Sequence, residues 1–254
     1  MKSGGGQILH FLMAIVLIGL MAFGCSGDGK ELTNVAAEDF LPPASDGEEW
    51  ELVWSDEFDA GQLDRSLWQT PVGVRRDGYW AEEDSYLDGE GNLVLRTRET
   101  DGKYYSGAVR TMGVFEHRFG YWETRCMFHT EVGHWPAFWL FSPGVGIVGD
   151  GGRDGTEIDI MEKPWPDEDK INVALHWDGY GEDHKSEGKQ VISQGVSWGW
   201  HTFGLLWTPQ EYVFYIDGKE IWRTSAGGVS QVPAYVKLTD EVGDWGGDIA
   251  EARL

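Results

Sequence analysis

An antiparallel β-sandwich is the fold class this chain predicts, on three observations. Short runs rich in aromatic and β-branched residues recur from Glu49 onward at roughly ten-residue intervals. Gly and Asp stand between the runs, and no long amphipathic helical pattern or internal repeat interrupts the series. At 254 residues, with 41% apolar and 13% aromatic content, the chain suffices for one sizeable β-rich domain.

The N-terminus reads as an export signal. Lys2 precedes the apolar run "ILHFLMAIVLIGLMAFG", and Cys25 is followed by the polar "SGDGK". The run is short for a membrane span, which needs roughly 20 apolar residues. Ala22-Phe23-Gly24-Cys25 resembles a bacterial lipobox, although the usual pattern has Leu where Ala22 stands and Ala or Ser where Phe23 stands. Residues 1–25 are therefore expected to be a signal peptide of lipoprotein type, with Cys25 as the lipidated first mature residue and an ordinary signal peptide as the alternative. The protein is then a bacterial cell-surface or outer-membrane lipoprotein, or is secreted. Residues 26–48, "SGDGKELTNVAAEDFLPPASDGE", are acidic, carry Pro42-Pro43 and show no sustained period, as a linker does.

Residues 49–254 form the expected β-rich domain. Its strand candidates in order are "WELVW", "NLVLRTR", "YWETRCMFH", "INVALHW" and "HTFGLLWT", followed by "EYVFYIDGKEIWRT". In the last, Asp217-Gly218 supplies the two positive-φ positions of a tight hairpin turn. Cys126 is the single Cys besides Cys25; in its periodic context it reads as a small core hydrophobe, so neither a disulfide frame nor a Cys-based metal site is available. With 43 acids against 20 bases the net charge is -23, which repels nucleic acid and anionic membrane surfaces. Membrane contact is expected only through the lipid anchor. A neutral polysaccharide suits such a surface, and so does general solubility; the charge does not choose.

The stretch "GTEIDIMEKPW" places Glu157, Asp159 and Glu162 within one strand candidate. Side chains alternate faces along a strand, so Glu157 and Asp159 share one face while Ile158 and Ile160 point into the core. Glu162 falls on the wrong face unless a one-residue bulge near Ile160-Met161 restores it. At about 3.3 Å per residue the Cα atoms of Glu157 and Glu162 are then ~13 Å apart. Side chains leaning together bring the carboxyl groups toward the ~5–5.5 Å of a retaining glycosidase rather than the ~6.5–9.5 Å of an inverting one. Crowding requires one acid to titrate high, and Asp159 stands between the other two, able to hydrogen-bond the nucleophile. A solvated acidic face and a calcium site are the alternatives at this point. Trp135 and Trp139 in "GHWPAFWLF", and Trp165 in "KPWP", flank the acids with faces suited to stacking on sugar rings. Trp139 divides between core and cleft wall, whereas Trp135 and Trp165, beside prolines, are expected to be exposed. His176, in "NVALHWDG", is a candidate to reach the cleft from the adjacent strand, with a buried structural His as its alternative.

From about Trp50 to Ala250 these motifs resemble glycoside hydrolase family 16, of the laminarinase-like type. "GTEIDIME" fits the family's Glu-x-Asp-x-x-Glu signature in its β-bulge version. The surrounding order fits as well: "WELVWSDEFD", "SGAVRTMGVFEHRFGYWETR", "GHWPAFWLF", "HWDGYG" and "WHTFGLLWTPQEYVFYIDGKEIWRT". The resemblance implies a concanavalin A-like β-jelly-roll sandwich of two antiparallel sheets with a concave substrate cleft. It also implies Glu157 as nucleophile, Glu162 as acid/base and Asp159 as the assisting residue, with Trp135, Trp139 and His176 at the cleft. Two departures stand out. Lys163-Pro164-Trp165-Pro166 replaces the common Tyr-Gly type turn, and the family's closing strand, Asp-Tyr-Val-Arg-Val-Tyr-like, is not found after "DWGGDIAEARL". The domain is therefore expected to lack its last strand, or to close its sheet differently through the first.

The function expected is a retaining endo-glycosidase acting on a β-1,3- or mixed-linkage β-glucan through a covalent glycosyl-enzyme intermediate. The second expectation on the same fold is a galactan hydrolase of the agarase, porphyranase or carrageenase kind, or a transglycosylase. From another class comes a non-catalytic carbohydrate-binding sandwich, against which the retention of Glu157 and Glu162 argues. The chemistry needs no cofactor and no metal ligand; a structural calcium ion is left open. The partner is the polysaccharide, and a monomer is expected.

Overall fold

The computed structural model describes residues 9–13 (backbone), 40–44, 49–128 and 131–251. Cys25, most of the linker and the last three residues lie outside these.

Two six-stranded sheets face each other in the jelly-roll sandwich, with smaller ribbons at the rim. One sheet runs Lys219–Thr224, Tyr212–Ile216, His201–Trp207, Gly120–Cys126, Leu9–Met13, Trp50–Leu52. The other, entirely antiparallel, runs Lys185–Ile192, Lys170–Trp177, Glu157–Glu162, His134–Phe141, Tyr235–Val242, Ala108–Arg110. Alternation explains the layering. Leu140, Ile158, Leu175, Val236 and Leu238 turn inward and meet Trp122, Phe203, Leu205, Trp207 and Phe214 from the opposite sheet, all fully buried. Each such side chain contributes about 1.5–3 kcal/mol when removed from water. The indoles of Trp122 and Trp207 stack with centroids 6.3 Å apart in the centre of that layer. Cys126 is a free, buried thiol among these apolar side chains, as its periodic context predicts.

The hairpin turn has the predicted backbone, with φ of 47° at Asp217 and 71° at Gly218. Part of the linker docks on the domain, since the Trp50 indole N–H donates to the Pro42 carbonyl at 2.8 Å. One edge is built in an unexpected way. Leu9–Met13, which the sequence assigns to the export signal, lies between Trp50–Leu52 and Gly120–Cys126 and runs parallel to both. Trp50–Leu52 therefore reaches its sheet through Leu9–Met13.

Candidate active site

The acidic strand, Glu157–Glu162, is third of six in its sheet, so it has a hydrogen-bonded neighbour on each side. Ile160 and Met161 together face the single residue Val173: the ladder pairs Asp159 with Ala174 and Glu162 with Asn172. Against His134–Phe141 the same bulge appears as a register shift between Phe138 and Trp139. Both bulge residues are buried in the core. The extra residue turns Glu162 back to the face that Glu157 and Asp159 occupy.

Three cross-strand rows build that face. His176, Glu157, Phe141 and Tyr235 form the first; Ala174, Asp159, Trp139, Lys237 and Arg110 the second; Asn172, Glu162, Ala137 and Thr239 the third. Small residues beside Asp159 and Glu162 leave room above the carboxylates. The acids line a cleft of about 400 Å³ together with Trp135, Asn172, His176, Tyr180, His184 and Trp245.

Each acid has its own partners. Both oxygens of Glu162 accept hydrogen bonds, Oε1 from the Trp135 indole at 3.0 Å and Oε2 from the Asn172 amide at 2.7 Å. Burial nevertheless dominates and, with the charge of Asp159, pushes its carboxyl well above the usual range. Asp159 is raised in the same direction by burial and then by Glu157 and Glu241, against the pull of Lys237 and Arg76. His176 Nε2 lies 3.3 Å from Asp159 Oδ2, so Asp159 meets this imidazole across the strand pair. The other nitrogen of His176 meets Nε2 of His184 at 3.0 Å, with the rings stacked. Glu157 accepts a bond from the Tyr180 hydroxyl on Oε2 at 2.5 Å.

Backbone contact fixes where the acidic strand begins. A Cβ on Gly144 would lie 1.7 Å from the Asp154 carbonyl oxygen, and one on Gly155 would lie 2.3 Å from the Gly144 carbonyl carbon. Two peptide segments therefore touch directly just before Glu157.

The flanking aromatics take different positions. Trp135 is half-buried and lines the cleft, and Trp139 is on the cleft face but almost covered, its N–H donating to Thr239 Oγ1 at 3.1 Å. Lys237 lies over the Trp139 ring at 3.5 Å. Trp165 stands behind Trp245, edge to face at 5.2 Å, and Trp245 in turn meets Trp135 at 4.7 Å. Lys163 explains the unusual turn: its buried ammonium binds the carbonyls of Trp165 and Pro166, and burial brings its pKa down to about 8.

Tyr180, His184, Asn172 and Trp245 escaped the sequence reading, as did the cationic wall of Arg75, Arg76 and Lys237. Arg75 and Arg76 share the two oxygens of buried Glu241 at 2.7 and 2.5 Å. Lys237 is itself buried and brought down to about 7 by that burial and by Arg75. Among the described residues, Glu157, Asp159 and His176 have ligand atoms within 4.8 Å of one another. Two carboxylates and an imidazole fall short of the six to eight oxygens that calcium takes.

Comparison with known proteins gives the family and the fold. Residues 75–251 match the model of the glycosyl hydrolases family 16. A β-glucanase of Rhodothermus marinus is 26% identical over 249 residues, 92% of this chain and 77% of that protein. An endo-1,3-1,4-β-glycanase of Rhizobium meliloti is 30% identical over 143 residues, 55% of this chain but 28% of the longer relative. The laminarinase catalytic domain of Thermotoga maritima superposes with a TM-score of 0.65 at 27% identity, over 80% of this chain and 93% of that one.

Proposed function

The chain belongs to glycosyl hydrolase family 16, and from that premise we propose that it is a retaining endo-glycosidase of a β-1,3- or mixed-linkage β-glucan. The observation that carries the proposal is the bulged strand, which turns Glu157 and Glu162 to one wall of one cleft with Asp159 between them. Glu157 attacks the anomeric carbon while Glu162, kept protonated by its burial, donates its proton to the departing oxygen. In the second half Glu162 takes a proton from water, the water oxygen bonds to the anomeric carbon, and the electron pair of the glycosyl ester returns to Glu157. Trp135 and Trp245 supply faces for sugar rings, and Trp165 supports Trp245.

The names of the relatives support the glucan. One observation favours a second reading on the same fold. Arg75 and Arg76 line the cleft beside the three acids in a chain of net charge -23, which suits a galactan bearing anionic groups, of the carrageenan or porphyran kind. Reducing ends released from laminarin, mixed-linkage glucan, agarose and carrageenan, with Glu157→Gln as control, decide between them. Release from the glucans alone supports the first reading, release from the galactans alone replaces it, and binding with no release from any of them sinks both. Proton NMR of the first anomer tests retention. Export as a lipoprotein is proposed on the lipobox-like sequence, and the mass of the N-terminal peptide at Cys25 tests it.

A further inference from the structure

Tyr180 is more than half exposed, yet its hydroxyl is directed at one atom. The segment that carries it is anchored at its base. Asp178 and Gly179 both adopt positive φ, 58° and 78°, which reverses the chain directly after Trp177. The buried Asp178 carboxylate takes the Lys185 ammonium at 2.5 Å, and the Gly179 N–H donates to the Val145 carbonyl at 2.7 Å. On its far side the Tyr180 ring lies 5.8 Å from His184, which stacks on His176. The phenol is thus held between a pinned turn and an imidazole pair.

We infer that Tyr180 is a positioning residue for the nucleophile: it binds Oε2 of Glu157 and leaves Oε1 as the oxygen that attacks. The inference rests on the retaining glycosidase reading. Although the ring as a whole is more than half exposed, desolvation around its hydroxyl and the charge of Glu157 hold the phenol well above its ordinary range, so it stays a donor. In the first step a bond forms from Oε1 to the anomeric carbon while the glycosidic bond breaks, and Glu162 supplies the proton to the leaving oxygen. The phenol keeps its proton throughout. When water displaces the ester, negative charge returns to a carboxylate that already has a donor on Oε2. The hydrogen bond therefore favours departure of Glu157 more than its attack, because a less basic carboxylate is the better leaving group.

Two measurements test this. The first needs no substrate: the Tyr180 phenol is titrated by 13C NMR of ζ-labelled tyrosine, with the resonance assigned through Tyr180→Phe. In the wild type it resists ionisation, and in Glu157→Gln its midpoint falls by a unit or more; the same titration in both proteins overturns the contact. The second follows an aryl β-laminaribioside with an activated leaving group. Tyr180→Phe slows loss of the ester, so kcat and KM fall together by about 10-fold with kcat/KM nearly kept, and a burst of phenol precedes the steady state. A raised KM with unchanged kcat would mean that the ring is only a wall, and the inference fails. If the wild type turns over neither the aryl glycoside nor any of the four polysaccharides, the glycosidase reading fails instead, and the NMR titration still decides whether Tyr180 holds Glu157.

Discussion

The indole N–H of Trp135 donates to Oε1 of Glu162 across 3.0 Å, which makes one side chain both a wall of the cleft and a partner of that carboxyl. This bond stabilises the ionised carboxyl and so opposes the burial that raises it. Trp135→Phe keeps an aromatic face and loses the donor. The acid then holds its proton to higher pH, and the alkaline limb of kcat/KM moves upward by as much as about one unit. An unmoved limb would show that Glu162 does not set it.

Glu162→Gln keeps the amide within reach of Trp135 and Asn172 but cannot deliver a proton. Activity on laminarin is expected to fall by about 10³-fold, within the range of general acid–base catalysis. Activated aryl glycosides lose less in the first step, and added azide restores turnover with formation of the β-glycosyl azide. Recovery of the α-azide would contradict a covalent intermediate on Glu157.

The bulge makes an unusual prediction about chain length. Deleting Ile160 regularises the strand and leaves the three carboxylates on one face at alternating positions. The loss of a buried Ile costs about 2–5 kcal/mol, so the deletion variant melts lower yet keeps measurable hydrolysis. Inserting an Ala after Met161 instead turns Glu162 toward the core and abolishes activity. Equal inactivity in two folded variants, checked by circular dichroism, would refute the register argument.

Glu123, on the opposite sheet, offers a stability test apart from the cleft. Burial raises its carboxyl to about 7, although Tyr121 donates to it at 2.8 Å. Its folded-state pKa lies above the unfolded value. Its stabilising share is therefore full below about 4.5 and is lost as pH rises through about 7. Glu123→Gln has no proton to lose. The two proteins should melt alike near pH 4.5, and by pH 8 the variant should be the more stable by about 3 kcal/mol. A constant difference across this range would count against the assignment.

The bulge was legible because two periodicities collide in "EIDIME": the acids want one face, and Ile158 and Ile160 want the other. The Asp217-Gly218 turn was legible because positive φ at consecutive residues restricts composition. Tyr180 and Lys237 were hidden for opposite reasons. Tyr180 sits in a turn whose direction depends on the left-handed backbone of Asp178 and Gly179, which no side-chain pattern announces. Lys237 lies on a strand far along the chain that becomes a neighbour of Trp139 only through sheet order. Trp245 was visible as a residue, but its place against Trp135 and Trp165 depends on the turn that follows Tyr235–Val242. Trp165 sits beside the cleft in sequence and behind it in space because Lys163 folds the turn back onto its own carbonyls.

The contact of Gly144 with Gly155 separates what can vary from what cannot. The strand bearing Glu157 starts from two peptide planes in touch, with no side chain between them, so its entry angle is indifferent to the loops around the cleft. Trp245 and the Lys163 turn belong to segments that can be rewritten around a stationary reaction centre. The rim can then change in shape without displacing the strand that carries Glu157, Asp159 and Glu162.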